Sequence, residues 1–131
     1  MNRKSVQMIV GAAMLLGWSV WGVYGIPTPR LESLANYPNP FDSRLTATSI
    51  VYSLPTDAAV TVRLYDLLGR PVREWNFHAG ENGARNGENR LSWDGTDESG
   101  AKVSAGGYVC QVLVEQESGL IQGIRKIAVI H

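Results

Sequence analysis

The run "WDGTDESGAKVSAGGY", Trp93 to Tyr108, concentrates the side chains best equipped for chemistry. Asp94, Asp97 and Glu98 supply the hard oxygen donors that calcium takes. An EF-hand-type loop starting at Asp94 needs acids or amides at its third and fifth places, glycine at the sixth and glutamate at the twelfth. Those places hold Thr96, Glu98, Ser99 and Ala105, so that pattern is absent. Two readings of the three acids stand: candidate ligands of a looser oxygen site, or side chains of a corner between strands. In a corner, aspartates accept nearby backbone N–H groups, and Gly95 and Gly100 take positive φ. We carry the corner forward and expect no cofactor.

Other chemistries find fewer parts. Beyond residue 25 the soft or borderline zinc ligands are His78, His131 and Cys110. A serine nucleophile needs a histidine base and an orienting acid. Ser92 and Asp94 flank Trp93 with no histidine in sequence reach. No nucleophile elbow, phosphate loop or dinucleotide fingerprint appears, so the chain reads as non-enzymatic. Cys110 has Tyr108, Val112 and Val114 at two-residue spacing, which marks it as a small buried hydrophobe rather than an exposed thiol.

The elements that must hold these residues have a period of two. Val60-Thr61-Val62-Arg63-Leu64-Tyr65 is apolar at every even position, the pattern of a half-buried strand. Similar runs are 49–54, 72–77, 89–93, 108–115 and 123–130. Turn signals separate them at Pro55-Thr56-Asp57, Asp66 to Pro71 (with Gly69), Gly80 to Gly87, and Ser118-Gly119. Six or seven short strands at this spacing predict an all-β fold, an antiparallel β-sandwich. Trp75, Phe77, Leu91, Trp93 and Tyr108 are the expected large core residues. The first strand carries "NYPNPF", in which Pro38 and Pro40 remove backbone donors and confine it to an edge or polyproline path, with Tyr37 and Phe41 as its anchors.

At the N-terminus, Arg3 and Lys4 precede an uncharged, largely apolar run, the n- and h-regions of a signal peptide. Val23-Tyr24-Gly25 before Ile26-Pro27 offers a cleavage site between Gly25 and Ile26. The alternative is an uncleaved anchor, because the apolar part approaches the ~20 residues of a spanning helix. We expect 1–25 as a signal-peptide helix, 26–36 as a short linker and 37–131 as one domain. Twelve basic and twelve acidic residues balance in the whole chain, and losing Arg3 and Lys4 leaves the exported part slightly acidic. That lacks the footprint of a nucleic-acid binder.

Four ordered motifs carry a family resemblance: "NYPNPF" (Asn36, Tyr37, Pro38, Asn39, Pro40, Phe41), "VTVRLYDLLGRPVREW" (60–75), "LSWDGTDESGAKVSAGGYVCQV" (91–112) and "RKIAVI" (125–130). Together they resemble the flagellar hook-assembly FlgD-type immunoglobulin-like domain, and are similar to the C-terminal sorting domains of type IX secretion cargo. The resemblance implies a seven-stranded antiparallel β-sandwich of immunoglobulin-like or fibronectin III-like form, in which Trp93-Asp94-Gly95 ends one strand and Gly107-Tyr108 begins the next. It further implies that Gly107, Tyr108 and Lys126 belong to a region read by export machinery.

The expected function is a secreted or cell-surface module for protein interaction, sorting or attachment. Its partner would be a protein or the secretion and cell-envelope machinery, with the membrane involved only if the leader stays on, as in a periplasmic anchored form. Exposed strand edges, the Gly80 to Glu88 loop and the proline-bearing first strand are candidate surfaces. The alternatives are a calcium- or glycan-binding surface module with Trp93, Asp94, Asp97 and Glu98 at its rim, or a remnant C-terminal domain of a larger secreted protein.

Overall fold

A computed structural model describes residues 30–131. The signal-peptide helix, the Gly25/Ile26 cleavage site and the start of the linker, residues 26–29, lie outside the described residues. Eight strands follow in order: β1 Ala35–Tyr37, β2 Phe41–Asp42, β3 Thr48–Leu54, β4 Ala59–Asp66, β5 Pro71–Phe77, β6 Gly87–Trp93, β7 Gly106–Gln116 and β8 Gly119–Ile130. They form a three-stranded sheet, β1-β3-β6, and a five-stranded sheet, β2-β8-β7-β4-β5. No helix occurs among the described residues.

Alternation places one face of each long strand in the core between the sheets. From the larger sheet come Val60, Val62 and Leu64 of β4, Cys110, Val112 and Val114 of β7, and Ile127 and Val129 of β8. Ile50, Tyr52 and Leu54 of β3 and Trp93 of β6 meet them. Trp93 stands at the centre, edge-on to Phe41 (5.5 Å between ring centres) and to Tyr108 (5.6 Å). Its indole N–H donates to Thr96 O at 2.8 Å, Tyr108 O–H to Ser104 O and Tyr52 O–H to Gly83 O, each at 2.6 Å. The polar tip of each buried ring thus has a partner, which a dry core requires.

The sandwich is all-β as expected, with three corrections. There are eight strands rather than seven, because the prolines divide the first one. Ala35–Tyr37 pairs with β3 at the edge of one sheet, and Phe41–Asp42 pairs with β8 at the edge of the other. The Tyr37–Pro38 and Asn39–Pro40 bonds between them are cis. Nor is the fold wholly antiparallel, since β2 runs parallel to β8. Third, Tyr37 is no anchor: it is 80 % exposed, and alternation along β1 turns Asn36 inward instead, while Phe41 is buried.

The expected core was also too wide at one flank. Trp75 and Phe77 are half-buried, because β5 is the outermost strand of the five-stranded sheet and the facing sheet has only three. The Arg73 guanidinium lies over the Trp75 ring at 5.0 Å, covering part of its outer surface. Leu91 is likewise half-buried on β6 at the margin of the smaller sheet.

Candidate functional site

The acid-rich run is a small hairpin that turns the chain from β6 toward β7. Val103 N–H donates to Gly95 O, Asp97 N–H to Ala101 O and Gly100 N–H to Asp97 O, all within 2.9–3.0 Å. Each acid is held by a different partner. Asp94 accepts from the Thr96 hydroxyl and N–H, and Asp97 accepts from Ser99 N–H, the Ser99 hydroxyl and Ala101 N–H. These bonds favour the charged form: the Thr96 hydroxyl foremost holds Asp94 below the usual carboxylate range, and the Ser99 hydroxyl does so for Asp97.

Glu98 turns the other way, its carboxylate accepting Glu74 N–H at 2.7 Å while its own N–H donates to Val72 O at 3.1 Å. Among the described residues no three His, Cys, Asp or Glu gather at metal-binding distance. Gly95 (φ +82°) and Gly100 (φ +86°) adopt the left-handed backbone expected of a corner. Lys102 pins the hairpin to the sandwich by donating to Asp94 O at 2.6 Å and Ser43 O at 2.9 Å.

The β4–β5 turn is built the same way. Asp66 accepts from Leu68 N–H and Arg70 N–H, both at 2.9 Å, and pairs with the Arg70 guanidinium at 2.6 Å, while Gly69 takes φ +82°. The Arg70 N–H is the main cause of Asp66's lowered pKa. This polar clasp presents Leu67 and Leu68 outward, 67 % and 79 % exposed. Leu67 lies across Gly107: a Cβ at Gly107 would sit 3.1 Å from Leu67 Cδ1.

The two expected sorting elements meet on adjacent strands. Gly107 pairs with Ala128 and Val109 with Lys126, so Gly107 and Lys126 share the outer face of the five-stranded sheet. Tyr108 points the opposite way into the core, so its ring is out of reach of a partner on that face. A shallow depression of about 390 Å³ runs beside Gly107, lined by Asp66, Leu67, Leu68, Val103 and Ser104 among others. The leucine pair was visible in the sequence as two apolar residues inside a polar turn.

A second finding lay beyond sequence reading. The Asn39 side chain donates to Lys126 O and accepts Ala128 N–H, both at 2.9 Å, and so acts as a one-residue strand against β8. It also donates to the Asn36 side chain at 3.1 Å. Asn39 thereby ties the crossover between sheets to the strand that carries Lys126.

The sequence profile of the FlgD Ig-like domain matches residues 39–118, more than half of the chain. Among solved structures, dimeric latent PorU from Porphyromonas gingivalis superposes with a TM-score of 0.60 at 22 % identity over 75 % of this chain and 9 % of its own. PorZ of the same organism, an essential bacterial surface component of the type IX secretion system, gives 0.52 at 20 % identity over 78 % of this chain and 12 % of its own. FlgD from P. aeruginosa gives 0.54 at 18 % identity over 79 % of this chain and 76 % of its own. The chain therefore spans about a tenth of PorU and of PorZ and most of FlgD, and at these identities the likeness concerns the fold. No curated protein matches. Two sheets closed on Trp93, a clasped β4–β5 turn and the profile match together make this chain a member of the FlgD Ig-like domain family.

Proposed function

We propose that the protein is an exported, non-enzymatic β-sandwich module that docks a protein of the secretion or cell-envelope machinery, in the manner of a type IX sorting or attachment domain. The carrying observation is the end of the sandwich where Leu67 and Leu68 stand exposed, Leu67 lying over Gly107 on the sheet face that also bears Lys126. Exposed leucines beside a shallow depression, with a cation at the margin, suit recognition of a protein surface better than enclosure of a small molecule. Similarity to domains of PorU and PorZ supports a location outside the cytoplasm.

The test is to express the full chain in its own host and measure its compartment and termini by fractionation and intact mass. The reading expects a species starting near Ile26 on the outer surface or in the medium. Leu67→Ser/Leu68→Ser should reduce the surface-localised amount severalfold while the melting temperature holds, since neither side chain is buried. A wild-type chain retaining Met1 in the inner membrane, or a variant that localises normally, would count against it.

A further inference from the structure

Three of the four sheet edges are short or partly covered. On β8, Leu31 N–H donates to Gln122 O at 2.9 Å, Asn39 occupies Lys126 and Ala128, and β2 takes the end. On β5, Glu98 occupies Val72 O and Glu74 N–H. On the smaller sheet, β1 is three residues long and Ser33 bonds Ser53 beyond it. The fourth edge is β6, seven residues long.

The bonding direction along β6 follows from the other side of its sheet. Ser53 turns its N–H and C=O toward β1, where Ser33 Oγ meets both. In an antiparallel ladder these directions alternate, so Ile50 and Tyr52 turn theirs toward β6, onto Leu91 and Asn89. The N–H and C=O groups of Glu88, Arg90 and Ser92 therefore point away from the sheet. Among the described residues they have no backbone partner. An edge of this length normally carries a blocking device.

The side chains on this edge select the occupant. Glu88 and Arg90 both project from the solvent face, 56 % and 65 % exposed, and pair with one another at 3.0 Å. An edge bearing one sign of charge repels its own copy, whereas Glu-x-Arg is self-complementary when reversed. We propose that β6 pairs antiparallel with β6 of a second copy about a two-fold axis through Asn89. Glu88 then lies opposite Arg90 of the second copy, twice. Each Glu88–Arg90 pair exchanges both backbone hydrogen bonds, which is the register the outward groups permit. The contact is isologous and closes on itself, so it yields dimers and no fibre. Half-buried Leu91 gains cover from the added strand on the core side.

The surface excludes Gly107, Leu67 and Lys126, so the proposal stands or falls apart from the docking reading above. Sedimentation velocity over a concentration series, on the protein as its host processes it, should show a reversible dimer that weakens as salt is raised. Arg90→Glu, which leaves four carboxylates at the contact, should weaken association by at least about tenfold, and Glu88→Arg should do the same. Mixed one to one, the two variants should form a heterodimer, because every cross-strand pair is again opposite in sign. Circular dichroism of each variant alone checks that it folds. A wild type that stays monomeric throughout overturns the proposal, as does association that neither charge reversal weakens, or two variants that fail to combine.

Discussion

Glu98 covers the open side of Glu74: its carboxylate accepts the Glu74 N–H at 2.7 Å, and its own N–H reaches Val72 O at 3.1 Å. One residue of the acid-rich hairpin thus stands in for a strand along β5. Asn39 does the corresponding work on β8, at the opposite margin of the same sheet. Two polar side chains that look like surface residues in the sequence are edge covers in the fold, and sheets that leave edges bare invite pairing with other chains.

Replacing Glu98 by alanine should uncover the Glu74 amide. The net loss is about 1 kcal/mol, the usual worth of a hydrogen bond partly open to water. Glu98→Gln keeps an acceptor and should lose less. Urea unfolding measures the first, and amide exchange the second: faster exchange at Glu74 in Glu98→Ala, with β4 amides unchanged, is the expected pattern.

Asn39→Ala removes bonds to Lys126, Ala128 and Asn36 together and should destabilise by roughly 1–3 kcal/mol. Asn39→Asp keeps an acceptor for Ala128 N–H but sets a carboxylate against the Lys126 carbonyl, so it should restore little. Denaturant midpoints of the two variants check this, and an aspartate variant as stable as wild type would show that the donated bonds contribute nothing.

Period-two alternation made the long strands, the buried Cys110 and the central Trp93 legible in the sequence, because each is a property of one segment. What stayed illegible depends on segments far apart in the chain. Asn39 meets Lys126 across 87 residues, and Glu98 meets Glu74 across 24. Aromatic character singles out Tyr37 as the anchor of β1, yet Asn36 holds the inward position and donates to Thr48 Oγ1. The acidic hairpin was legible as a corner from its glycines, but the separate partner of each carboxylate was not.

Acid should weaken the fold through its turn aspartates. Arg44 bonds hold Asp42 down to about 2, and Asp66, Asp94 and Asp97 are lowered by their own turn partners. A carboxyl whose folded pKa lies below its unfolded value contributes stability above the unfolded pKa and loses it as pH falls through the folded one. Melting temperature should therefore be flat above about pH 5 and fall between about pH 4 and 2. Asp66→Asn should lower the neutral plateau and make the acid decline shallower; melts across that range test both.

Burial pushes the Cys110 thiol up to about 12, so little thiolate forms at neutral pH. A maleimide or disulfide reagent at pH 8 should leave the native protein untouched and react once urea unfolds it. Labelling of the folded protein at the rate of a free thiol would show that β7 opens at that position.

Gly95 and Gly107 separate a structural glycine from one that shapes a surface. Gly95 has φ +82°, and a Cβ there would sit 2.7 Å from Ser43 Cβ, on backbone pinned by Trp93, Val103 and Lys102. Gly95→Ala combines a left-handed conformation with an overlap that no flexible tip can relieve, and should cost about 2–4 kcal/mol. Gly107 meets only the exposed Leu67, whose side chain can swing away, so Gly107→Ala should change stability by under about 1 kcal/mol. Its expected effect is on Leu67, moved off the surface it covers. Paired thermal melts and surface-localisation assays should therefore give opposite rankings: Gly95→Ala losing stability first, and Gly107→Ala losing localisation with its melt intact.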